Sequence, residues 1–100
     1  MGQSRLDLQE ILVEITDNVY FQPPNGLQMQ YPCIVYNLSD VNVKFASNSK
    51  YSNHKRYSVT VIDRDPDSLI PESVLALPLC SYDRHFTADN LNHDVFTLYF

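Results

Sequence analysis

The sequence predicts an α+β fold, in which a mainly antiparallel four-stranded sheet carries two helices on one face and a long β-hairpin arm. Three observations support this. Apolar residues recur at helical spacing near the N-terminus, two pairs of alternating segments are typical of strands joined as hairpins, and a proline-bounded helical segment lies between these pairs. The chain is therefore predicted to form one layer of sheet under one layer of helices.

The composition predicts a single globular domain spanning residues 1–100. The chain has a mass of 11.6 kDa, and 44% of its residues are hydrophobic against 19% charged. This length leaves no room for a separate cofactor-binding domain. No apolar run is long enough to span a membrane, and the first ten residues lack the apolar core of a secretory signal, so we expect a protein without membrane contact.

The first helix is predicted from Ser4 to about Thr16–Asn18. Ser4 and Asp7 have the spacing of a capping box, with Asp in place of the usual Glu. The apolar stripe consists of Leu8, Ile11, Leu12 and Ile15. A short extended piece, Val19–Phe21, follows and ends at the proline-rich loop Gln22–Gly26.

The first hairpin is predicted to pair a strand at Cys33–Leu38 with a strand at Lys55–Arg64. The second of these has the regular alternation of a half-buried strand, with Tyr57, Val59 and Val61 on one side. Between the two strands, residues 39–56 are polar and turn-like, so we expect them to form an exposed hairpin arm.

The second helix is predicted from Asp67 or Ser68 to Leu77, with Pro71 in its first turn and Pro78 after its end. Its apolar face is either the pair Leu75 and Leu79 or the pair Val74 and Leu77. A second hairpin then joins Cys80–Ala88 to His93–Phe100 through a tight turn, and strict alternation would place Cys80, Tyr82, Arg84 and Phe86 on one side.

The strongest catalytic candidate is the trio Asp63, Asp65 and Asp67. Alternating carboxylates in this pattern are a possible Mg²⁺ site for a small nuclease. Pro66 interrupts the alternation, however, and the same residues have the composition of a turn before a helix. The turn is the favoured interpretation, and the nuclease is kept as an alternative.

Other residues give no catalytic, cofactor-binding or metal-binding prediction. His54, His85 and His93 do not have the spacing of zinc ligands. Cys33 and Cys80 are expected to be buried, reduced thiols, with a single disulfide as the alternative. The two glycines cannot form a phosphate-binding loop. We therefore expect a protein that is not an enzyme and needs no cofactor.

The charge and the tyrosine content indicate protein partners rather than nucleic acid. Twelve acidic residues against seven basic ones give a net charge of −5, whereas nucleic-acid binders usually present a basic face. Seven tyrosines in the chain fit a domain that presents aromatic surface to a partner. An RNA-binding sheet is disfavoured because Ser58 and Thr60 occupy one face of the best strand.

Four segments resemble the tail-terminator (tail-completion) proteins of long-tailed bacteriophages, in the forms carried by phages of Gram-positive bacteria. The segments are VYFQPP (Val19–Pro24), YPCIVYNLSD (Tyr31–Asp40), KRYSVTVIDRDPDS (Lys55–Ser68) and DRHFTADNLNHDVFTLYF (Asp83–Phe100). Together with the first helix they cover nearly the whole chain.

The resemblance implies a structural virion protein of the viral tail, assembled in the host cytoplasm. Members of this family form a ring, expected to be hexameric, at the head-proximal end of the tail tube, where they stop tube growth and provide the surface that docks the head. The implied partners are further copies of the chain, the tail-tube protein and a head-closure or connector protein. DNA would pass through the lumen without specific binding, and the acidic charge suits such a channel.

The arm at 39–56 is the segment we expect to reach a neighbouring subunit or the tube. Phe45 and Tyr51 would be its apolar anchors. Its steering charges would be Lys44, Lys50, Lys55 and Arg56. These interface residues follow from their placement in the arm, since the family supplies no motif for them. A head-closure or connector protein of the phage neck, also called a head–tail joining protein, is the nearest alternative function.

Overall fold

A computed structural model of the chain describes residues 4–41 and 55–100. The described elements, in chain order, are α1 (Arg5–Ile15), β1 (Val19–Phe21), β2 (Cys33–Val41), β3 (Lys55–Asp63), α2 (Ile70–Leu75), β4 (Cys80–Ala88) and β5 (Leu91–Tyr99). The expected α+β class is confirmed. Neither of the two described helices is long and apolar enough to cross a membrane.

The sheet has five strands in the order β1-β2-β3-β5-β4, where the sequence predicts four. The extra strand is the segment Val19–Phe21, which pairs with β2 in parallel, while all other pairs are antiparallel. The backbone N–H of Ile34 donates to the carbonyl of Asn18 at 2.8 Å, where this pairing begins. The sheet is mixed because the long loop after β1 returns the chain to the same end before β2 starts.

One face of the sheet carries both helices and is called the helix face; the opposite one is called the open face. The helix face holds the core, because Leu8 and Leu12 of α1 and Val74 of α2 are fully buried against it. The sheet residues of this core are Ile34, Tyr36, Tyr57, Val59, Val61, Phe96 and Leu98. The packing of both helices on one face is as predicted.

Helix α1 is capped by Ser4 at its N-terminus and by Thr16 at its C-terminus. The Ser4 hydroxyl accepts a hydrogen bond from the Asp7 backbone N–H at 3.3 Å, and the N–H of Thr16 returns to the Leu12 carbonyl at 3.1 Å. The side chain of Asp7 lies in the first turn, where a negative charge is favoured by the helix dipole.

Helix α2 is shorter than the predicted span from Asp67 or Ser68 to Leu77, because residues 65–69 form turns instead. Pro71 lies in its first turn, where a missing N–H costs nothing. Of the two predicted apolar faces, the one with Val74 and Leu77 packs on the core, whereas Leu75 remains exposed.

Strand β4 contains a β-bulge between Tyr82 and Arg84, so the strict alternation predicted for this strand is wrong. Tyr82 stands opposite Phe96 on the helix face, but Arg84 stands opposite Val95 on the open face. The extra residue at the bulge moves every following side chain to the other face. Cys80 and Tyr82 therefore do not share a side with Arg84 and Phe86.

The two hairpins end differently. Between β4 and β5, Asp89 and Asn90 both have positive φ, at 54° and 63°, which is the backbone of a type I′ turn and confirms the predicted tight connection. Strands β2 and β3 pair as far as Val41 and Lys55. Most of the predicted arm, residues 42–54, lies outside the described residues.

Replacing Leu12 tests the packing of α1 on the sheet. Leu12→Ala removes a fully buried side chain and leaves a cavity against the core, so the free energy of unfolding should fall by about 2–5 kcal/mol. Urea denaturation followed by circular dichroism measures this loss.

The neighbouring Val13→Ala is the matched control, because Val13 is largely exposed and its change should stay within about 0.5 kcal/mol. Equal losses in the two variants would contradict the described orientation of α1.

Candidate interaction surfaces

The residues predicted to contact a neighbour fall mostly outside the described part of the chain. Lys44, Phe45, Lys50 and Tyr51 lie within residues 42–54. Lys55 and Arg56 are described at the start of β3, where both are half-buried. The backbone of Lys55 exchanges hydrogen bonds with Phe100 at 3.1 and 2.9 Å, so the start of β3 is anchored to the residue after β5, at the point where the predicted arm ends.

The three aspartates of the possible metal site form successive turns. The Asp63 carboxylate accepts the backbone N–H of Asp65 at 2.9 Å, and the Asp65 carboxylate accepts that of Asp67 at the same distance. Each carboxylate thus stabilises the local backbone, as the turn interpretation predicts. Among residues 4–41 and 55–100, no group of three His, Cys, Asp or Glu side chains is arranged to hold a metal ion.

The last hairpin places His85 and His93 on opposite faces of the sheet. His85 stands opposite Asp94, while His93 stands opposite Phe86 and stacks on its ring, with 4.6 Å between ring centroids. The Arg84 guanidinium lies 5.6 Å from the centre of the same Phe86 ring. The two histidines cannot bind one ion together.

The two cysteines are free thiols on opposite faces of the sheet, as the favoured interpretation predicts. Burial, reinforced by the Asp63 carboxylate, raises the pKa of the fully buried Cys33 to about 11. Burial, reinforced by the Asp83 carboxylate, raises the pKa of the half-buried Cys80 to about 11 as well. Neither thiol is prepared for nucleophilic chemistry, which requires a lowered pKa.

Several tyrosines belong to the core rather than to a partner surface. Tyr36 and Tyr57 are fully buried on the helix face, so the partner-facing interpretation is wrong for them. Tyr82 differs, since 47% of it is exposed and its hydroxyl donates to the Asp94 carboxylate at 3.0 Å. Within residues 4–41 and 55–100, the exposed aromatic side chains are Tyr82 and Phe86, both on β4.

An apolar surface follows α2 and the start of β4. Its exposed large side chains are Leu69, Leu75, Leu79 and Tyr82. Across residues 69–82 the only charged side chain is Glu72. An exposed apolar patch on a small acidic protein is typical of an interaction site.

An apolar pocket of about 170 Å³ opens beside this surface. It lies between α1, the α2–β4 connection and the end of β5, and is lined by Leu8, Ile11, Leu77, Pro78, Leu79, Leu98, Tyr99 and Phe100. Leu79 stands at its edge with 61% of its side chain exposed and a positive φ of 57°. The backbone there is fixed by the Tyr99 N–H, which donates to the Leu79 carbonyl at 3.1 Å.

A second candidate surface is the loop of residues 22–32 between β1 and β2, here named the uncharged loop. It lies against the open face, because the Tyr20 hydroxyl accepts the Gln30 N–H at 3.0 Å and the Arg64 guanidinium lies 5.7 Å from the centre of the Tyr31 ring. Gly26 has a φ of +83° and turns the chain so that Leu27 is 43% exposed.

Neither surface is among the predictions from sequence, although the sequence contains a signal for the uncharged loop. Residues 18–39 carry no charged side chain at all, in a protein in which 19 of 100 residues are charged. Depletion of charge is the compositional mark of an interface core. Which of those uncharged residues are exposed is visible only in the folded chain.

No protein-family model, curated protein or solved structure matches this chain.

The raised pKa values predict that both cysteines are unreactive in the folded protein. A shift from 9.0 to about 11 lowers the thiolate fraction at pH 8 by about a hundredfold. Iodoacetamide should therefore leave the native protein unmodified over a time that labels both thiols in urea, as measured by intact mass. Rapid labelling of the native protein, or a mass lower by two hydrogens, would contradict this prediction.

Proposed function

We propose that this protein is a tail terminator of a long-tailed phage: a structural virion protein that forms a ring, expected to be a hexamer, at the head-proximal end of the tail tube. The proposal rests on the four resembling segments, which include nearly all of both strands of the first hairpin and most of the second hairpin. In the ring, the protein stops growth of the tube and provides the surface on which the filled head docks.

The observation that carries the proposal is the exposed apolar surface of α2 and β4 with its adjoining pocket. Leu69 and Leu79 expose 71% and 61% of their side chains in a chain with a net charge of −5. Exposed leucines at this density are retained where a partner covers them. The Asp63 and Asp65 carboxylates, by contrast, accept backbone N–H groups of their own turn, and this favours assembly over catalysis at these residues.

The net charge suits a channel for DNA. A ring of acidic subunits repels the phosphate backbone, and DNA can therefore pass through the lumen without adhering. The partners are further copies of the chain, the tail-tube protein and the head-closure or connector protein. The protein acts in the virion after assembly in the host cytoplasm.

Growth of tail tubes in vitro tests the terminator role. Tube protein from the same phage is polymerised with increasing amounts of this chain, and tube lengths are measured in negative-stain images. We expect shorter tubes and added density at one end, because a terminator closes the surface on which the next tube ring would assemble.

Unchanged tube lengths with no bound protein would contradict the terminator role. Binding to purified portal complexes instead of tubes would assign the protein to head closure.

Leu69→Asp is the informative variant, since it adds a charge to the apolar surface at a residue that is 71% exposed and should not affect folding. Leu6→Asp, at an exposed residue of α1, is its matched control.

A substitution in the arm tests the predicted anchor Phe45. Phe45→Asp should leave the melting temperature unchanged yet prevent capping of the tubes, because it replaces an apolar anchor by a charge. Ser47→Asp adds the same charge to the same segment without removing an apolar side chain, and it should retain capping. Normal capping by Phe45→Asp would exclude the arm as a contact.

A further inference from the structure

We propose that neighbouring copies of this chain contact each other through two different surfaces, with Leu27 of the uncharged loop of one copy entering the apolar pocket of the next. The inference deepens the proposed function and rests on it for the expectation that the copies close into a ring. The positions, the charge and the size of the two surfaces support the contact itself.

The loop and the pocket cannot meet within one chain. The uncharged loop lies on the open face beside β1 and β2, as the hydrogen bond from Gln30 to Tyr20 shows. The pocket lies on the helix face, between α1 and the end of β5, and β3 separates β5 from β2 in the sheet. A contact between them therefore joins two copies, and because the surfaces differ it is a head-to-tail contact, which closes into a ring or continues as a filament.

The charges favour this pairing of surfaces. Two copies with a net charge of −5 repel each other, and burying an unpaired carboxylate between them is costly. Residues 22–32 contain no charged side chain, and residues 77–79 and 98–100, which form most of the pocket, contain none either. These surfaces can be brought together without burying a charged side chain from either segment.

The loop is exposed, so burial within its own chain does not explain why it lacks charged side chains. Most of residues 22–32 are exposed, including Gln28 and Gln30 on either side of half-buried Met29. Exposed loop positions ordinarily tolerate charged side chains. The combination of exposure and missing charge, together with Met29 and Tyr31, is the composition found in the core of protein interfaces.

The size of the Leu27 side chain also suits the volume of the pocket. Leu27 follows a turn built from Pro23, Pro24 and Gly26, and its N–H donates to the Pro24 carbonyl at 3.3 Å. Two prolines restrict this turn before binding, so little conformational entropy is lost when Leu27 is immobilised. The pocket, at about 170 Å³, is of the size that accepts one compact apolar group.

The lining of the pocket favours a protein side chain over a small polar ligand. Of its eight lining residues, only Tyr99 has a polar atom in its side chain. Small-molecule sites ordinarily contain several convergent polar groups that fix the orientation of the ligand. The Leu27 side chain needs no such groups, because the backbone of its own loop sets its orientation.

A mixing experiment with two variants tests the contact. Leu27→Asp places a charge on the loop and leaves the pocket unchanged. Leu79→Asp places a charge in the pocket and leaves the loop unchanged. Both residues are exposed, and the positive φ of Leu79 suits Asp better than Leu, so both variants should fold. Size exclusion with light scattering, over a wide concentration range, gives the mass of each sample.

The wild type should assemble into species several times 11.6 kDa, and each variant alone should remain at 11.6 kDa. An equimolar mixture should form a complex of about twice 11.6 kDa and nothing larger, because only the intact loop of Leu79→Asp can enter the intact pocket of Leu27→Asp. The control Leu6→Asp should assemble like the wild type.

Three outcomes would overturn the inference: a wild type that is monomeric at every concentration, a variant that still assembles, or a mixture that yields only monomers. The capping of tail tubes distinguishes this failure from a failure of the proposed function. If the wild type caps tubes while the mixture stays monomeric, the protein is a terminator whose copies meet through other surfaces. If the mixture forms the dimer but the wild type ignores tubes, the contact stands without the terminator role.

Discussion

Tyr36 is the side chain on which the arrangement of the other elements depends. It is fully buried in β2, and its ring lies 4.9 Å from that of Phe21 in β1 and 5.9 Å from that of Tyr57 in β3. Its hydroxyl donates to the Gln9 side chain and accepts from Arg5 at 3.1 Å, both on α1. One residue thereby links the helix to three strands, and the hydrogen bonds of its buried hydroxyl favour this docking of the helix.

The position of α1 in turn creates the pocket. Leu8 is fully buried against the sheet, while Ile11, one turn further, is only half-buried and forms the pocket wall. The other walls come from the α2–β4 connection, where Pro78 follows the end of the helix and Leu79 adopts a positive φ. A chain of this size has only one layer of helices, so the gap between α1, this connection and the end of β5 is left open.

The distribution of charge separates the surfaces that face water from those suited to contact. Most of the acidic residues lie in turns or on helices, as at Glu10, Asp65 and Asp89, where they are exposed. The stretch 18–39 is free of charge, and its loop stays exposed on the open face. In an acidic protein, contacts between like copies are least costly where carboxylates are missing, which connects the proposed assembly to a property of the sequence.

The sequence by itself determined the class of the fold, the extent of α1, the two hairpins and the turn at Asp63–Asp67. These depend on local periodicity, capping and turn residues, which act over a few neighbouring positions. It also determined the acidic net charge and the uncharged stretch 18–39. The resemblance to tail terminators added the function that is proposed here.

Only the tertiary structure decided that Val19–Phe21 joins the sheet as a parallel edge strand, because its partner is distant in the chain and three residues carry no pattern of their own. The tertiary structure also decided which side chains of β4 lie on which face of the sheet, since the bulge at Asp83 depends on pairing with β5. The pocket and the exposed Leu27 also required the folded chain. Their residues come from four separate segments, and exposure is a property of how those segments pack, on which local sequence has little influence.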